Sequence, residues 1–465
     1  MTKQKTKDPL SSKDPKTGKD FDSQINARTR IIEILTRVET RQSYTDRLLE
    51  KELNSFNDPD KRLITETVNG VLRWQYRLDW YLKQLYVGEY NNLIPDVKNN
   101  LRSSAYQLMF LDRIPPYAVL NEAVEISKKR FNQKTANLVN AILRNYLRQE
   151  KKLQYAELNL EFMERMSVTY SHPEWLIQRW IEQWGIDETV ALCKSNNSRP
   201  LLTVRVNHLK SDIPGLVNQL TENDIGFQDN GELPGFYRIE NFSDFRKLGL
   251  IQSGAVSVQD ISTGIPVHLL DPQPGERVLD MCAAPGGKCG YIAEKMNNTG
   301  RIVALEKHEA RAAVMRENLS RLGVTNVDTK VVNALKFEDS EGFDRILLDA
   351  PCSGFGVLNK RVDLRWKRTI EDIKEMKELQ IKLLAKASEL LKPNGVLVYS
   401  TCTIDPDENE RVVEQFLANH SQFTATPVSD FPAEIFVWDN YTLRTFPHRH
   451  NIDGSYAVRL QKKNS

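Results

Sequence analysis

Hydrophobic positions in the first third of the chain recur with the spacing of amphipathic helices. Apolar residues three and four positions apart share one helical face, and the first such face carries Ile31, Ile34, Leu35 and Val38. Similar faces follow as far as Arg148, interrupted at Pro115-Pro116. Helical periodicity over about 120 residues is typical of one domain. The pattern therefore predicts an all-helical domain at residues 26–150.

The next hundred residues show a mixed pattern. Alternating apolar and polar positions predict strands at Leu201–Val206 and Phe236–Ile239, with a short helix at Ile213–Leu220 between them. An earlier helix has an aromatic face, which we interpret as core packing rather than a base-stacking platform; it carries Trp175, Leu176, Trp180 and Trp184. Residues 151–250 are thus predicted to contain a small α+β module.

From residue 251 onward, short apolar runs alternate with helical stretches. Five runs bounded by turn residues are predicted as strands: Arg277–Asp280, Arg301–Glu306, Asp328–Val332, Phe343–Asp349 and Gly395–Cys402. The helix Ile370–Leu391 is predicted to end at Pro393-Asn394-Gly395. Such alternation indicates a doubly wound α/β domain with a parallel sheet. Two further strands, Leu443–Phe446 and Tyr456–Leu460, have no helix between them and predict an antiparallel hairpin.

Composition narrows the protein class. The chain has 465 residues, of which 40% are hydrophobic and 27% charged, which is ordinary for a globular protein. It contains no run of 18 apolar residues, so we expect no membrane association. Five cysteines are too few for a disulfide framework, and we expect a reducing, cytoplasmic location. Residues 1–25 are polar and of mixed charge, and we expect a disordered tail without a secretory signal.

The distribution of charge points to a polyanionic partner. Residues 26–150 hold 20 Lys and Arg against 15 Asp and Glu, whereas the whole chain has a net charge of only +2. A second basic cluster has Asp363 as its one internal acid; it consists of Lys360, Arg361, Arg365, Lys367 and Arg368. One such cluster is most often a solvated face. Two of them favour a partner such as a nucleic acid.

Two cysteines follow predicted parallel strands. Cys352 lies in Asp349-Ala350-Pro351-Cys352-Ser353-Gly354, and Cys402 lies in Ser400-Thr401-Cys402-Thr403. Ligands of open α/β sheets bind beyond the carboxyl ends of the strands, so both thiols should face one crevice. Neither cysteine has a second Cys or a His at metal-ligand spacing, and we therefore expect no metal. Two nucleophilic thiols in one cleft indicate covalent catalysis.

The loop after the first parallel strand has the features of a nucleoside-cofactor site. Small residues let the backbone approach a ligand, and the following helix N-terminus favours negative charge; this loop is Cys282, Ala283, Ala284, Pro285, Gly286, Gly287 and Lys288. Glu306 ends the second strand 19 residues after Gly287, where an acid accepts hydrogen bonds from ribose hydroxyls. A nicotinamide dehydrogenase is the alternative, but its Gly-x-Gly-x-x-Gly motif is absent here. The thiols of Cys282 and Cys289 are interpreted as small buried apolar groups.

Taken in order, three motifs resemble those of the RNA cytosine-C5 methyltransferases, in particular the Sun/RsmB type that modifies bacterial 16S ribosomal RNA. They are Cys-Ala-Ala-Pro-Gly-Gly-Lys at 282–288, Asp-Ala-Pro-Cys-Ser-Gly at 349–354 and Ser-Thr-Cys-Thr at 400–403. Residues 101–145 are similar to the NusB-type RNA-binding domain that this family carries. The segments Tyr170–Trp175 and Arg205–Asn207 resemble the family's linker module.

The resemblance implies a multidomain protein whose division follows the hydrophobic pattern. A tail (1–25) precedes an all-α NusB-like domain (26–150), a small α+β linker module (151–250), and a Rossmann-like class I methyltransferase domain (251–465). It further implies S-adenosyl-L-methionine as cofactor and 16S ribosomal RNA as partner. We expect a monomer in the cytoplasm, with no membrane and no metal.

The resemblance also implies roles for the site residues. Cys402 is the nucleophile that attacks C6 of the cytosine, and Cys352 assists release of the product. Asp349 holds the cytosine edge and also belongs to the cofactor site, together with the 282–288 loop and Glu306. Asn333 stands where the family usually has an acid that contacts the cofactor. Its amide oxygen can still accept a hydrogen bond from the adenine amine.

Several alternatives remain open at the level of the sequence. Residue chemistry alone does not decide which cysteine attacks, because DNA methyltransferases of similar chemistry use the Pro-Cys position, here Cys352. The resemblance implies methylation of C5 of cytosine 967 in 16S rRNA, and another rRNA or tRNA site is the alternative. An assembly factor that binds RNA without catalysis is a second class.

Overall fold

The structure is a computed structural model that describes residues 26–41, 43–229, 231, 233–428, 431 and 434–464. The predicted tail at 1–25 lies outside these described residues. The chain divides into two compact units, and the division falls after Glu182. Within the described ranges, no helix is both long enough and apolar enough to cross a membrane.

The described part of the first unit is helical, as the periodicity predicted. It contains a 3-10 helix at Tyr90–Asn92 and nine α-helices: α1 (Ala27–Arg41), α2 (Thr45–Glu52), α3 (Asp58–Arg73), α4 (Gln75–Leu85), α5 (Pro95–Phe110), α6 (Pro116–Arg130), α7 (Gln133–Leu158), α8 (Phe162–Tyr170) and α9 (Glu174–Trp184). The predicted face Ile31, Ile34, Leu35 and Val38 is buried. Trp180 and Leu176 of the aromatic face are fully buried, which confirms their interpretation as core residues.

Helix α5 is the centre of this unit, because α1, α3, α4, α6 and α7 all pack against it. Its Arg102 is buried and forms a two-point contact with Asp79 on α4, with both N–O distances 2.7 Å. The same guanidinium donates to Glu39 on α1 at 3.1 Å. A buried cation is tolerated only when it is paired in this way. Arg102 therefore fixes the three helices at one point.

The second unit begins with helix α10 (Ile186–Asn196) and a small antiparallel sheet. The sheet has the strand order β2-β3-β1-β4, and its elements are β1 (Leu202–Val206), α11 (Ile213–Glu222), β2 (Phe227–Asp229), β3 (Phe236–Ile239), α12 (Phe242–Lys247), α13 (Leu250–Ser253) and β4 (Val256–Val258). Val204, Tyr237 and Leu216 pack in one core between the sheet and α11. The prediction of an α+β module is confirmed.

A larger sheet follows in the same unit, with a 3-10 helix at Ala334–Lys336 and another at Glu434–Phe436. Its elements are α14 (Ile261–Leu270), β5 (Arg277–Asp280), α15 (Gly287–Lys295), β6 (Arg301–Glu306), α16 (Glu309–Leu322), β7 (Val327–Val331), β8 (Phe343–Asp349), α17 (Leu364–Lys367), α18 (Ile370–Leu390), β9 (Leu391–Thr401), α19 (Glu410–Asn419), β10 (Phe423–Ala425), β11 (Thr442–Thr445), α20 (Pro447–His450) and β12 (Ser455–Lys462).

The strand order is β10-β12-β9-β8-β5-β6-β7, and β11 pairs with β12. Strands β5 to β9 pair in parallel, whereas β12 pairs antiparallel with β9, β10 and β11. Neighbouring residues of the parallel strands enter different cores: Val278 packs on the face of α14 to α16, and Leu279 on the face of α18 and α19. The doubly wound sheet and the antiparallel pairing of β11 with β12 are confirmed, whereas the short helix α20 lies between these two strands, where none was predicted.

The ends of the predicted strands lie within two residues of those observed, except at the start of β9. Strand β9 begins at Leu391, directly after α18, instead of at Gly395. The pairing with β8 shifts in register between Phe343↔Leu391 and Arg345↔Val396. This irregularity takes up the turn residues Pro393 to Gly395, and Asn394 adopts a left-handed φ of +61° there. The turn residues therefore form a bulge within the strand rather than a loop before it.

A buried ion pair joins the small sheet to helix α15, which packs on the large sheet. Arg205 on β1 pairs with Glu294 on α15, and both side chains are at most 4% exposed. The guanidinium also donates to Gln259 at 2.9 Å and lies 3.9 Å from the centre of the Tyr291 ring. The Arg205–Glu294 ion pair thus holds the two sheets of the second unit together, and each of its buried charges depends on the other.

We expect Glu294→Ala to lower the free energy of unfolding of this unit by about 3–5 kcal/mol, because the Arg205 cation would remain buried without its partner. Urea titration followed by circular dichroism measures the change. The control is the double variant Arg205→Met with Glu294→Leu, which removes both charges and should lose less. Equal losses in both proteins would contradict the role given to the uncompensated charge.

Candidate active site

The loop between β5 and α15 is shaped by its glycines. Gly286 has a φ of +99°, a conformation that side chains with a Cβ rarely adopt, and a Cβ placed there would lie 3.1 Å from Met315. The peptide between Ala284 and Pro285 is cis. Helix α15 starts at Gly287, so its first free N–H groups lie at the end of the loop. Cys289, one turn into the helix, is fully buried in the core, as interpreted from the sequence.

Glu306 is held rigidly at the end of β6. Its Oε1 accepts the backbone N–H of His308 at 2.8 Å, and its Oε2 lies 3.1 Å from the Arg311 guanidinium. Arg311 also donates to the carbonyl of Ala284 at 2.8 Å. The acid predicted to bind a ribose is therefore fixed in orientation and tied to the 282–288 loop through one arginine.

Asn333 follows β7 and caps the 3-10 helix that comes next. Its side-chain oxygen accepts the backbone N–H of Leu335 at 3.1 Å. The oxygen that the sequence suggested as an acceptor for adenine is thus already engaged with the main chain. A hydrogen bond from adenine would have to share this oxygen with the N–H of Leu335.

Asp280 is a site residue that the sequence analysis passed over. It ends β5, is buried, and accepts the N–H of Cys282 through Oδ1 at 3.3 Å. Its other oxygen is buried with no hydrogen-bond partner among the described residues. Burial, with the nearby charge of Asp349, raises the pKa of Asp280 to about 7. An acid at the last position of the first parallel strand was the signal that could have identified it.

A cavity of about 580 Å³ opens over this loop. Its lining includes Asp280, Lys288 and Asp349 together with Cys282 to Pro285 and Gly287. Gly286, Glu306, Asn333, Cys352 and Cys402 are not among the lining residues. The structure thus gathers most of the predicted cofactor loop and Asp349 around one space, whereas the two predicted catalytic cysteines lie outside its lining.

The far side of the cavity is lined by a three-residue charge cluster. The Lys360 ammonium lies 2.7 Å from a carboxylate oxygen of Asp260 and 2.7 Å from one of Asp453. Burial, with the charge of Asp260, raises the pKa of Asp453 to about 7. These residues are far apart in sequence, and no local pattern indicates that they meet.

The basic cluster at 360–368 requires a correction. We expected it to form a surface for phosphates, but Lys360, Arg365, Lys367 and Arg368 each contact groups within their own unit. Lys360 binds the two acids described above, Arg365 donates to Asn197, Lys367 pairs with Asp363, and Arg368 donates to the carbonyls of Cys352 and Ser353. The cluster supports the loop after Cys352 because its charges are neutralised or bonded inside the fold.

The two cysteines are in direct contact. Cys352 follows β8 and Cys402 follows β9, and their Sγ atoms are 3.2 Å apart. The Cys402 thiol is exposed, and the Cys352 thiol is half-buried. The predicted crevice with two thiols is therefore present, and the separation is short enough for one thiol to donate a hydrogen bond to the other.

Electrostatics distinguishes the two thiols. The hydrogen bond from Cys352 lowers the pKa of Cys402, and the Lys288 ammonium also favours the charged form. The same contact raises the pKa of Cys352 well above its ordinary value, and burial adds to this effect. These opposite shifts favour the charged form of Cys402 over that of Cys352.

Asp349 connects the cofactor loop to the cysteine loops. Its Oδ2 lies 2.6 Å from the Lys288 ammonium, and its Oδ1 accepts the hydroxyl proton of Ser400 at 2.9 Å. Lys288, which the sequence placed only in the cofactor loop, thus reaches the other predicted site residues. The geometry brings an ammonium, a carboxylate and a thiolate together at the carboxyl edge of the sheet.

Among the described residues, no cluster of His, Cys, Asp or Glu could hold a metal ion. The site thus combines the small-residue loop at 282–288 with a pair of thiols.

Comparison with known proteins identifies this combination. The model of the family described as 16S rRNA methyltransferase RsmB/F matches residues 267–461, the NusB family matches residues 25–148, and an RsmF/B-like ferredoxin-like domain matches residues 172–245. The chain is 34% identical over 442 residues to the probable ribosomal RNA small subunit methyltransferase B of Bacillus subtilis, covering 93% of this chain and 98% of that one. The chain belongs to the RsmB family of ribosomal RNA methyltransferases.

Other members and solved structures agree with this assignment. The RsmB-family protein of Synechocystis is also 34% identical, over 94% of this chain and all of that one. The crystal structure of PH0851 is 28% identical, covers 94% of this chain and 99% of that one, and superposes with a TM-score of 0.80. A methyltransferase homologue from Pyrococcus horikoshii is 31% identical over 65% of this chain and all of that one, with a TM-score of 0.57.

The RsmB family membership confirms several predictions made from the sequence. The three-part fold class with NusB-like, ferredoxin-like and Rossmann-like parts is confirmed. The enzyme class is methyltransferase, and the nicotinamide dehydrogenase alternative is excluded. The roles of the individual site residues stay predictions.

The electrostatics of this RsmB-family site predicts how the Cys402 thiol reacts. Because its pKa is lowered, Cys402 should be alkylated faster near neutral pH than an ordinary thiol. Cys352→Ala should shift its pH profile upward by removing the hydrogen bond, and Lys288→Met should shift it upward by a smaller amount. Iodoacetamide labelling followed by peptide mass spectrometry measures both profiles. Cys352→Ser retains a donor and is the matched control; a profile unchanged in Cys352→Ala would contradict the assignment.

Proposed function

We propose that this protein transfers a methyl group from S-adenosyl-L-methionine to C5 of a cytosine in small-subunit ribosomal RNA, through a covalent bond between Cys402 and C6 of the base. The observation that carries the proposal is the thiol pair, whose Sγ atoms are 3.2 Å apart at the carboxyl edge of the sheet. Its relatives are described as small-subunit ribosomal RNA methyltransferases. The target that we propose is cytosine 967 of 16S rRNA.

The reaction requires a nucleophile from the enzyme because C5 of cytosine is itself too weak a nucleophile to take a methyl group directly. Addition of the Cys402 thiolate to C6 forms the S–C6 bond and turns C5 into an enamine carbon. The Lys288–Asp349 pair lies where it can hold the cytosine edge and supply a proton toward N3. When bound, S-adenosyl-L-methionine supplies an electrophilic methyl group for C5. Cys402 thus stabilises the reactive form of the base by covalent attachment.

Release needs a base for the C5 proton. We assign this step to Cys352: once Cys402 is bonded to C6, Cys352 releases its own proton to solvent and, as a thiolate, takes the proton from C5. When the C5–H electrons form the C5–C6 double bond, the S–C6 bond breaks and Cys402 leaves as a thiolate. The hydrogen bond between the thiols stabilises that leaving charge. One thiol attacks and its neighbour completes the turnover.

The residues around the cavity suit the proposed cofactor. The sharp loop at Gly286 lets the main chain approach a ligand, and the unpaired buried oxygen of Asp280 can accept a hydrogen bond from it. We place the ribose hydroxyls at Glu306 and the adenine near Asn333. The 282–288 loop and Asp349 complete the proposed cofactor site.

The first unit supplies the proposed RNA contact. Lys128 and Lys129 in the last turn of α6, and Lys134 in the first turn of α7, are exposed. We propose that these basic residues bind phosphates and that residues 26–150 form the RNA-binding domain. Residues 151–250 would then link it to a catalytic domain at 251–465. The protein would act as a monomer.

The two cysteine variants test this mechanism. We expect Cys402→Ala to abolish transfer, because no S–C6 bond can form, whereas Cys352→Ala should attack and methylate but fail to release. Bisulfite sequencing of 16S rRNA incubated with each protein maps the methylated cytosine. Denaturing gels detect a protein–RNA adduct, which only Cys352→Ala should accumulate.

The wild-type protein and the double variant are the controls for this comparison. Adducts trapped by Cys402→Ala instead would make Cys352 the nucleophile. Transfer that survives in the double variant would rule out covalent catalysis. Methylation at a cytosine other than 967 would select the alternative target, and RNA binding without any transfer would favour an assembly factor.

The cofactor assignment has a separate test. If Glu306 binds the ribose hydroxyls, Glu306→Ala should weaken S-adenosyl-L-methionine binding by about 2–3 kcal/mol, because a charge-assisted hydrogen bond is lost. Isothermal titration calorimetry measures the affinity. Glu309→Gln changes an exposed acid on the adjoining helix turn and should leave the affinity unchanged. Unaltered binding in Glu306→Ala would remove this residue from the cofactor site.

A further inference from the structure

Two adjacent buried residues, Glu408 and Asn409, contact the two cysteine loops from behind. They precede α19, and neither is exposed to solvent. The mechanism proposed above gives them no chemical step, and the cavity lining does not include them. Their side chains point to different loops, although a single peptide bond joins them.

Asn409 holds the loop that carries Cys402. Its Oδ1 accepts the hydroxyl proton of Thr401 at 2.6 Å, and its Nδ2 donates to the carbonyl of Thr403 at 3.1 Å. These two contacts lie on either side of Cys402 in the sequence. The amide therefore fixes the path of the main chain through the nucleophile.

Glu408 reaches across to the loop that carries Cys352. Its Oε2 accepts the backbone N–H of Ser353 at 2.8 Å and the side-chain amide of Gln380 at 3.0 Å. The same Gln380 amide donates to the carbonyl of Pro351 at 2.8 Å. Pro351 and Ser353 flank Cys352, so Glu408 and Gln380 together hold this loop on both sides of its thiol.

Burial of the Glu408 carboxyl group is unfavourable in free energy. This group has no cationic partner among the described residues, and its Oε1 is buried without a hydrogen bond. Burial raises its pKa to about 7. A buried, incompletely bonded acid lowers stability, and packing alone does not require a carboxyl group at this position. Taken together, the contacts of Glu408 and Asn409 fix the position of the Cys352 loop relative to the Cys402 loop.

We propose that Glu408 and Asn409 are positioning residues that form a clamp, which sets the distance between the thiols of Cys352 and Cys402. Because the two residues are consecutive, neither loop can shift sideways without moving the other. The clamp therefore fixes the separation over which reaction passes from attack by Cys402 to release by Cys352. This last consequence rests on the function proposed above, whereas the distance itself does not.

Disulfide formation measures the distance without RNA or cofactor. With oxidised glutathione, the Cys402 thiolate attacks the disulfide, forms a mixed disulfide and expels one glutathione thiolate. Cys352 then loses its proton and attacks the Cys402 sulfur, forming the internal disulfide and expelling the second glutathione thiolate. Mass spectrometry separates the two steps. The rate of the second step reports how well the thiols are placed.

We expect Glu408→Met, which keeps the volume but loses the acceptor oxygens, to slow the second step by about tenfold or more, because intramolecular reactions depend steeply on placement. Glu408→Gln keeps an acceptor for Ser353 and should stay near the wild-type rate. Gln380→Met removes the amide that binds Pro351 and serves as a second variant if Glu408→Met does not fold. Thermal unfolding by circular dichroism identifies the folded variants.

The outcomes are decisive in both directions. A wild-type second step in folded Glu408→Met or Gln380→Met would overturn the clamp, as would an equal loss in Glu408→Gln. With RNA and cofactor, a slowed second step should be accompanied by methylated adducts that persist longer than in wild type. Unchanged adduct lifetimes would overturn the role in release. If neither wild type nor Cys352→Ala forms a covalent adduct with RNA, the proposed function fails, while the disulfide rates still decide the clamp.

Discussion

The parallel pairing of β8 with β9 is the constraint on which the site depends. Its register sets Asp349 opposite Ser400, and the N–H of Ala350 continues the ladder by donating to the Ser400 carbonyl at 2.8 Å. Both chains leave the sheet immediately afterwards, so both cysteines emerge at the same point of its edge. A shift of one residue in this pairing would turn the side chains of one strand to the opposite face of the sheet. The contact between the thiols would then be lost.

Asp280 is buried, and Lys288 and Asp349 are mostly buried, so their charges act strongly on one another. Lys288 pairs with Asp349 and also favours the charged form of Cys402, while burial, with the charge of Asp349, raises the pKa of Asp280. One lysine at the start of α15 therefore links the 282–288 loop to Asp349 and Cys402. In the basic cluster at 360–368, Lys360, Lys367 and Arg368 likewise bind acids and carbonyls of their own unit.

The second unit supports its reactive edge from several directions. The Arg205–Glu294 pair joins the small sheet to α15, and Lys360 connects Asp260 with the carboxyl-terminal Asp453. Gly454 extends this support, because its N–H donates to the carbonyl of Gly356, whose own N–H donates to the carbonyl of Cys402. Residues distant in sequence thus converge on the loop that carries Cys402.

The sequence by itself determined the all-helical first part, the α+β module, the five parallel strands and the loops that carry the motifs. These features follow from local periodicity and turn chemistry, which report burial and backbone conformation over a few residues. Only the tertiary structure decided the 3.2 Å contact between the thiols, the contacts of Lys288 with Asp349 and of Lys360 with its two acids, and the start of β9 at Leu391. The residues of these pairs lie 50 to 100 positions apart in the sequence. Their distances are set by strand register and by the packing of helices on the sheet, which no local pattern contains.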